Sequence, residues 1–570
     1  MIRTLLKLAL MLGSYFGWWE FFRGRCRVNV YFAPVLTLAA QFTFLFLPGL
    51  LNFLPEAAWA LYFGGFLMLL DGLRREKLGL LKHYVNWGYG LCILAFAVMA
   101  LAFRGKVVTW FDNFTHWATV VKNMIAAERF PTFAQEAVGF HTYPLGSATL
   151  IWYFSRITSD QEDFWMLAQG FMLLCTLLPM FAFGKKNGVV QAVFLALAGN
   201  FLLCYNIPLT ELLVDSLLPL AGTAMLLFLH RECLREDKPL NIWYALPMLF
   251  WVMNIKNAGM LFVFAGFWIL LVRMKGQGRE LKPLLLTALV LAVGYFLWER
   301  HCDYVFYSTV SQHEISVDYL SARLGEKTLA DIVTILGRMA KALVVRGEFF
   351  CVLAAAAVPG ILTWALAPEG KRRYLSLLRF LGVTWVVYGI SLMAMYVTSM
   401  SAQAALELQS ADRYIRVWEM MAYFLLAVYT LDLMGRVKKE GLISLVLTGA
   451  MAALWLGYYG TPMTIARDQR NSPALRLRYE APIWEYGVER WHSYLICAED
   501  DVLWYPAFLW GYHLDSDRFL QIKVTDESQM AVEKDYDYIV ILDENNPVIE
   551  NWVAKTYPDQ LGRTVIQCFK

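Results

Sequence analysis

Four polar positions in this chain have the most chemistry within reach. They are a carboxylate ringed by aromatics, a carboxylate heading an apolar run, a lysine between two short apolar runs, and an arginine–tyrosine pair before a later one. The first is Asp112, in Trp110-Phe111-Asp112-Asn113-Phe114-Thr115-His116-Trp117. Aromatics of this kind belong to any membrane–water interface, so a solvated loop aspartate is one reading. A general base or metal ligand at the water–lipid boundary is the other. Glu211 and Asp215 are spaced to share one helix face. Glu211 fits an N-terminal cap with favourable dipole placement. Asp215 falls one turn deeper, where a carboxylate is costly and usually functional.

Lys256 sits in Asn254-Ile255-Lys256-Asn257, between apolar arms. A lysine there must snorkel, pair, or hold a ligand phosphate. Arg413 and Tyr414 close Glu407-Leu408-Gln409-Ser410-Ala411-Asp412-Arg413-Tyr414. The arginine fork either binds phosphate bidentately or pairs with Asp412 or Glu407. His141 and Tyr143 precede Pro144-Leu145-Gly146. The Tyr-Pro step breaks helix locally and presents the hydroxyl and imidazole toward a polar cavity, and His116 can do likewise. Alone, each histidine reads first as structural. There is no His/Cys set with zinc spacing. If a divalent cation binds, Asp112 and Asp215 favour Mg²⁺ or Mn²⁺; a site with no cofactor is equally compatible.

These residues need apolar helices to place them. The chain has 570 residues, 58% of them hydrophobic and 17% charged, where soluble domains are about a quarter charged. The pattern predicts spans near 4–22, 29–51, 56–73, 86–103, 163–183, 188–206, 211–229, 241–254, 257–273, 282–300, 348–367, 376–398, 415–433 and 440–459. The expected fold is a polytopic α-helical membrane protein with about 13–14 transmembrane helices. The pair at 241–273 is short in each half and reads as a re-entrant hairpin whose tip carries Lys256. The 143–158 stretch reads as a surface or re-entrant helix. The net charge of +3 gives no sign of a nucleic-acid partner. Met1 to Phe22 lacks a small-residue cleavage site, so no removable signal peptide is expected.

Orientation follows the basic loops. Arg23–Arg27, Arg74–Lys77, Lys185-Lys186, Arg231–Lys238, Arg273–Lys282, Lys371–Arg373 and Arg436–Lys439 all fall on one side, taken as the cytoplasm. This count puts the N-terminus outside, beside Arg3 and Lys7. The long segments 104–162 and 301–347, the tail from 460 and a shorter loop, 399–414, then share the outer face. Three regions result: extra helices over 1–85, a core over 86–460, and an extracytoplasmic unit over 461–570. In the last, strands are expected at Ser493–Ala498, Arg518–Val524, Tyr538–Leu542 and Thr564–Phe569. Helices alternate with them, which predicts a small parallel α/β sheet without a phosphate loop.

The order of these features resembles the GT-C superfamily of integral-membrane glycosyltransferases, which use polyprenyl-phosphate-linked sugars. The matching elements are Asp112 in an early outer loop, Tyr143-Pro144-Leu145 as a Tyr-Pro-Pro-like element, and Asp215 as a second outer acid. Lys256-Asn257-Ala258-Gly259 follows at a helical hairpin, and Arg413-Tyr414 precedes a late helix. Leu145 replaces the second proline, and Asn113 stands where some members carry a second acid. The resemblance implies attack of an acceptor hydroxyl on the anomeric carbon with inversion, at the outer membrane face. It implies Asp112 as base, and Lys256 and Arg413 holding the leaving phosphate with Tyr414, Tyr143 and His141 beside them. It leaves Asp215 to orient the acceptor or share a metal, and His116, Glu211 and Glu407 to line the acceptor cavity. The acceptor would be a cell-envelope glycan, lipid or protein. A lipid-linked glycan flippase or transporter, or a non-catalytic cell-envelope protein, is the competing class.

Overall fold

The computed structural model describes residues 2–132, 140, 142–183, 209–233, 242–276, 281–306, 316–366, 368–434, 473–499, 504–543 and 545–568. The expected spans 188–206 and 440–459 lie outside the described residues. So do His141 and the basic loops at Lys185-Lys186 and Arg436–Lys439.

Helices dominate. They are α1 (Ile2–Glu20), α2 (Ala33–Leu50), α3 (Leu54–Glu76), α4 (Trp87–Ala102), α5 (Ala118–Ala127), α6 (Gly146–Ile157), α7 (Glu162–Leu177), α8 (Leu217–Phe228), α9 (Ile242–Met253) and α10 (Gly259–Gly276). After them come α11 (Lys282–Val305), α12 (Val317–Gly325), α13 (Leu329–Val344), α14 (Gly347–Leu366), α15 (Lys371–Thr398), α16 (Ala402–Leu406) and α17 (Ala411–Met434). Prolines sit in the first turn of α2, α3 and α11, where a missing N–H costs nothing. Large apolar side chains remain exposed on the bundle exterior, among them Phe63, Leu67, Leu285, Leu289, Val386 and Ile390. Among the described residues, four helices are long and apolar enough to cross a membrane. A fifth is possible if the pair Leu54–His83 and Trp87–Ala102, bent by 85°, counts as one span. The count covers the described residues alone, so it omits the expected spans 188–206 and 440–459, and some expected spans are shorter as helices. The 211–229 run, for example, becomes an irregular turn followed by the 12-residue α8.

Every residue of α8 is buried, as expected of a helix apolar on all sides. It packs against α7, α9, α10 and α17, so the elements that carry the polar positions converge around it. The α9–α10 hairpin is present, joined through Asn254–Ala258. Helix α6 differs from expectation: all its residues except Arg156 are buried, and it packs on α1, α2, α5 and α7. It is an interior helix, which corrects the surface alternative for 143–158 and is compatible with the re-entrant one. Its apolar and small residues leave no polar stripe for solvent.

The two ends of the bundle differ. At one, Arg23 pairs with Glu20 and Glu76, Arg25 with Asp71, and the Asn29 N–H donates to Glu232. Arg231 reaches the Ala182 carbonyl there. At the other, the 104–117, 209–216, 254–258 and 399–414 segments meet.

The tail begins with α18 (Pro473–Glu485) and continues through β1 (Tyr494–Cys497), α19 (Tyr505–Leu514), β2 (Phe519–Ile522), β3 (Tyr538–Ile541), α20 (Pro547–Thr556) and β4 (Val565–Gln567). Strand order is β2-β1-β3-β4. Strand β1 pairs parallel with β2 and β3, with Tyr494 opposite Phe519 and Tyr538. Alternation sends Tyr494, Ile496, Tyr538 and Val540 toward Trp510, and Leu495, Cys497 and Ile539 toward Met530 and Trp552. The fourth strand runs antiparallel to β3, which corrects the expectation of a fully parallel sheet. The 557–564 connection is the reason. It folds as a 3-10 turn over Pro558–Gln560 and a turn in which Gly562 takes φ +81°, so the chain enters β4 running against β3.

Candidate active site

The stretch leading to Asp112 is irregular, so its main-chain polar groups need partners from elsewhere. The Val108 N–H donates to Glu162 Oε2 at 2.8 Å. The Thr109 N–H donates to Glu211 at 3.1 Å, and its hydroxyl donates to the same carboxylate at 2.7 Å. Asn113 Nδ2 also donates to Glu211, while Asn113 Oδ1 accepts from the Leu212 N–H at 3.2 Å. Residues Asn113–Trp117 then form a π-helical turn entering α5, a feature common at functional sites. Glu211 therefore fastens the Asp112 segment to the 209–216 turn.

That turn ends in Asp215, immediately before α8. Its side chain is 1% exposed. Arg413, at the start of α17, donates to both acids: Nη1 to Asp112 Oδ2 at 2.6 Å and Nη2 to Asp215 Oδ2 at 2.9 Å. The rigid guanidinium fork suits a cation bridging two carboxylates. Lys256 Nζ stands 3.6 Å from Asp215 Oδ1 and 5.2 Å from the Tyr414 ring centroid. Two carboxylates and two cations thus form one nearly closed cluster. Burial would raise the Asp215 carboxyl, but Arg413 and Lys256 outweigh it and hold it below the ordinary value. Burial pushes the Lys256 ammonium down, and Asp215 opposes that shift. Asp112 is the accessible acid, its side chain 26% exposed.

Two glycines allow the hairpin joint to reach this cluster. The Gly146 N–H donates to the Asn254 carbonyl at 2.6 Å, and a Cβ on Gly146 would fall 2.4 Å from that oxygen. A Cβ on Gly259 would fall 2.1 Å from the Val252 carbonyl oxygen. Tyr143, just before Pro144, is buried and close enough to Tyr414, Arg413, Asp112 and Asp215 to feel their charge. Burial is the largest cause of its hydroxyl being pushed well above the ordinary value, so it stays a protonated donor. The His116 ring lies edge-on to Tyr143 at 5.3 Å. Tyr388 and Tyr396 hold the start of α17 by donating to the Tyr414 and Gln409 carbonyls.

The structure gathers Asp112, Asp215, Lys256, Arg413, Tyr414 and Tyr143 at one place, with His116 behind Tyr143. Glu211 is buried and serves the Asp112 segment instead of lining a cavity. Glu407 is exposed on the loop after α16, where Gln403 donates to it at 3.1 Å, so its expected place in the cavity is not where it stands. A metal shared by Asp112 and Asp215 does not fit, because Arg413 occupies the space between them and already balances their charge. Among the described residues no group of three or more His, Cys, Asp or Glu side chains is arranged to hold a metal ion.

Sequence reasoning did not single out Thr109, Glu162, Arg476 or Tyr505. Their types are ordinary in loops and helix ends, and no spacing marks them. In the sequence Asn113 stands out only as a departure from an acidic pair. No family model, curated protein or solved structure matches this chain.

Proposed function

We propose that this chain is a multi-pass membrane glycosyltransferase of GT-C type, moving a sugar from a polyprenyl-phosphate carrier to a cell-envelope acceptor. The convergence of Asp112, Asp215, Lys256 and Arg413 from four separate elements carries the reading. The apolar bundle exterior supports membrane insertion, and the basic residues at the far end support an extracytoplasmic site.

In this reaction the acceptor oxygen attacks the anomeric carbon as the bond from that carbon to the phosphate oxygen breaks, with inversion. The acceptor proton passes to Asp112. Its Oδ2 is held by Arg413, which leaves Oδ1 as the base. The departing phosphate keeps the bonding electron pair. Lys256 lies beyond direct hydrogen-bond distance of Asp215 and swings to the phosphate, with Arg413 and the Tyr143 hydroxyl offsetting the rest of its charge. Asp215, too buried to meet an acceptor, holds Arg413 by a hydrogen bond and only attracts Lys256 across 3.6 Å. No step requires a metal.

The test uses purified protein in nanodiscs with polyprenyl-phosphate-linked hexoses and candidate glycan acceptors. Release of free polyprenyl phosphate by wild type, lost in Asp112→Asn, is the expected result. Transbilayer movement of intact lipid-linked sugar without phosphate release would instead place the chain among transporters.

A further inference from the structure

The tail does more than sit beside the bundle. Val108 and Thr109, the residues leading to Asp112, have their N–H groups held by Glu162 and Glu211 of the helical core. Their carbonyls are held by the tail. Arg476 of α18 donates from Nη1 to the Val108 carbonyl at 2.6 Å, and Tyr505 of α19 donates to the Thr109 carbonyl at 3.1 Å. Both side chains are buried. The same arginine bonds Glu162 at 2.7 and 2.9 Å and Glu480 at 2.9 Å, so it is fixed on both sides. Tyr512 adds a bond to Glu162 at 2.7 Å.

Rings close the contact. Phe508 packs edge-on to Phe111 at 5.2 Å, and Tyr505 and Tyr512 pack on Phe114 at 5.5 and 5.3 Å. Asp112 thus lies between two phenylalanines that both rest on α19. Farther along, Lys122 bonds Asp515, which anchors the tail without touching the 108–112 backbone.

We infer that Arg476 and Tyr505 are positioning residues: the C-terminal α/β domain sets the location of Asp112 by holding the carbonyls of Val108 and Thr109. The inference rests on the glycosyl-transfer reading for its catalytic consequence, and on the contacts alone for the hold itself. An irregular segment with both sides of its backbone gripped has one place to be. Freeing one side lets Asp112 leave the Arg413 fork. Loss of that fixed position at a general base lowers turnover by about ten-fold or more, without weakening the remote binding of a lipid tail.

The experiment compares wild type, Tyr505→Phe, Arg476→Gln and Asp515→Asn in the full chain. Tyr505→Phe keeps the ring and removes only the hydroxyl. Deuterium uptake of the peptide covering 106–117 is measured with melting temperature, kcat and KM for phosphate release. The expected result is faster exchange in Tyr505→Phe and Arg476→Gln, and kcat down about ten-fold with KM held within about two-fold. In Tyr505→Phe the melting temperature falls by no more than one lost hydrogen bond accounts for, and the protein stays folded at the assay temperature. Asp515→Asn, which loosens docking elsewhere, leaves exchange in that peptide unchanged. Unchanged exchange in both Tyr505→Phe and Arg476→Gln overturns the inference, as does faster exchange with wild-type kcat. Should wild type itself release no phosphate, the proposed reaction fails; exchange alone then decides the hold, faster supporting it and unchanged overturning it.

Discussion

Arg413 reaches back 301 residues to bond Asp112 at 2.6 Å, and its second nitrogen bonds Asp215 at 2.9 Å. The guanidinium is therefore the joint between two acids from different loops. Removing it leaves Asp215 buried against Lys256 alone, a loss on the order of 3–5 kcal/mol for a broken buried pair. Arg413→Gln should be strongly destabilised. Arg413→Gln with Asp215→Asn should recover at least about 1 kcal/mol of that loss, because the uncompensated charge goes too. Denaturant unfolding in detergent of the two singles and the double measures the coupling. Strict additivity would mean that Arg413 and Asp215 do not act as a unit.

The two acids should separate by what they cost. Asp112 is partly exposed and Asp215 is 1% exposed. Asp112→Asn should lose transfer while costing less stability than Asp215→Asn, because Arg413 keeps Asp215 as a partner. Asp215→Asn should lower both stability and transfer, since it leaves two cations crowded without their shared anion. Phosphate release and melting temperature, measured on the same preparations, distinguish these outcomes. Equal destabilisation by the two substitutions would contradict the burial difference.

The charged members of the cluster were legible in the sequence because charge is rare in apolar surroundings. Asp112, Asp215, Lys256 and Arg413 each stood out against greasy neighbours, and their common end followed from the basic loops. The hairpin was legible from two short apolar arms around a polar joint. Glu407 is close to Arg413 along the chain but not in space: the turn before Arg413 carries it outward, where Leu408 and Ser410 adopt φ of +53° and +61°. Arg476 and Tyr505 were invisible for a different reason. They bind main-chain carbonyls, and a carbonyl has no signature in the sequence of its partner. The direction of β4 is set by the turns of one connection, which alternation does not encode.

Glu211 offers a pH signature. Burial, the largest cause, raises its carboxyl to about 7, against an ordinary value of 4.5, even though Thr109 donors oppose the shift. A raised folded value means that the native state holds its proton more tightly than the unfolded chain. The contribution is therefore full below about pH 4.5, falls as pH climbs, and is gone above about pH 7; its size is at most about 3 kcal/mol. Glu211→Gln should remove this slope, leaving a flatter stability curve between pH 5 and about 7.5. Thermal melts of both proteins across that window are the check. Parallel curves would show that Glu211 is charged in the fold throughout.

Gly146 should prove as necessary as any charged residue. A methyl group there would sit 2.4 Å from the Asn254 carbonyl oxygen, which already accepts the Gly146 N–H at 2.6 Å. Both atoms are backbone, so relief requires moving α6 or the hairpin joint. The joint carries Lys256. Gly146→Ala should therefore cost about 1–3 kcal/mol from overpacking and shift Lys256 away from Asp215, which weakens the hold on the leaving phosphate. The companion is Gly382, inside α15, where a Cβ meets nothing within 4 Å. Gly382→Ala should gain about 0.5–1 kcal/mol from helix propensity and leave transfer untouched. If Gly146→Ala matches Gly382→Ala in melting temperature and phosphate release, the close approach of α6 to the joint is not what places Lys256.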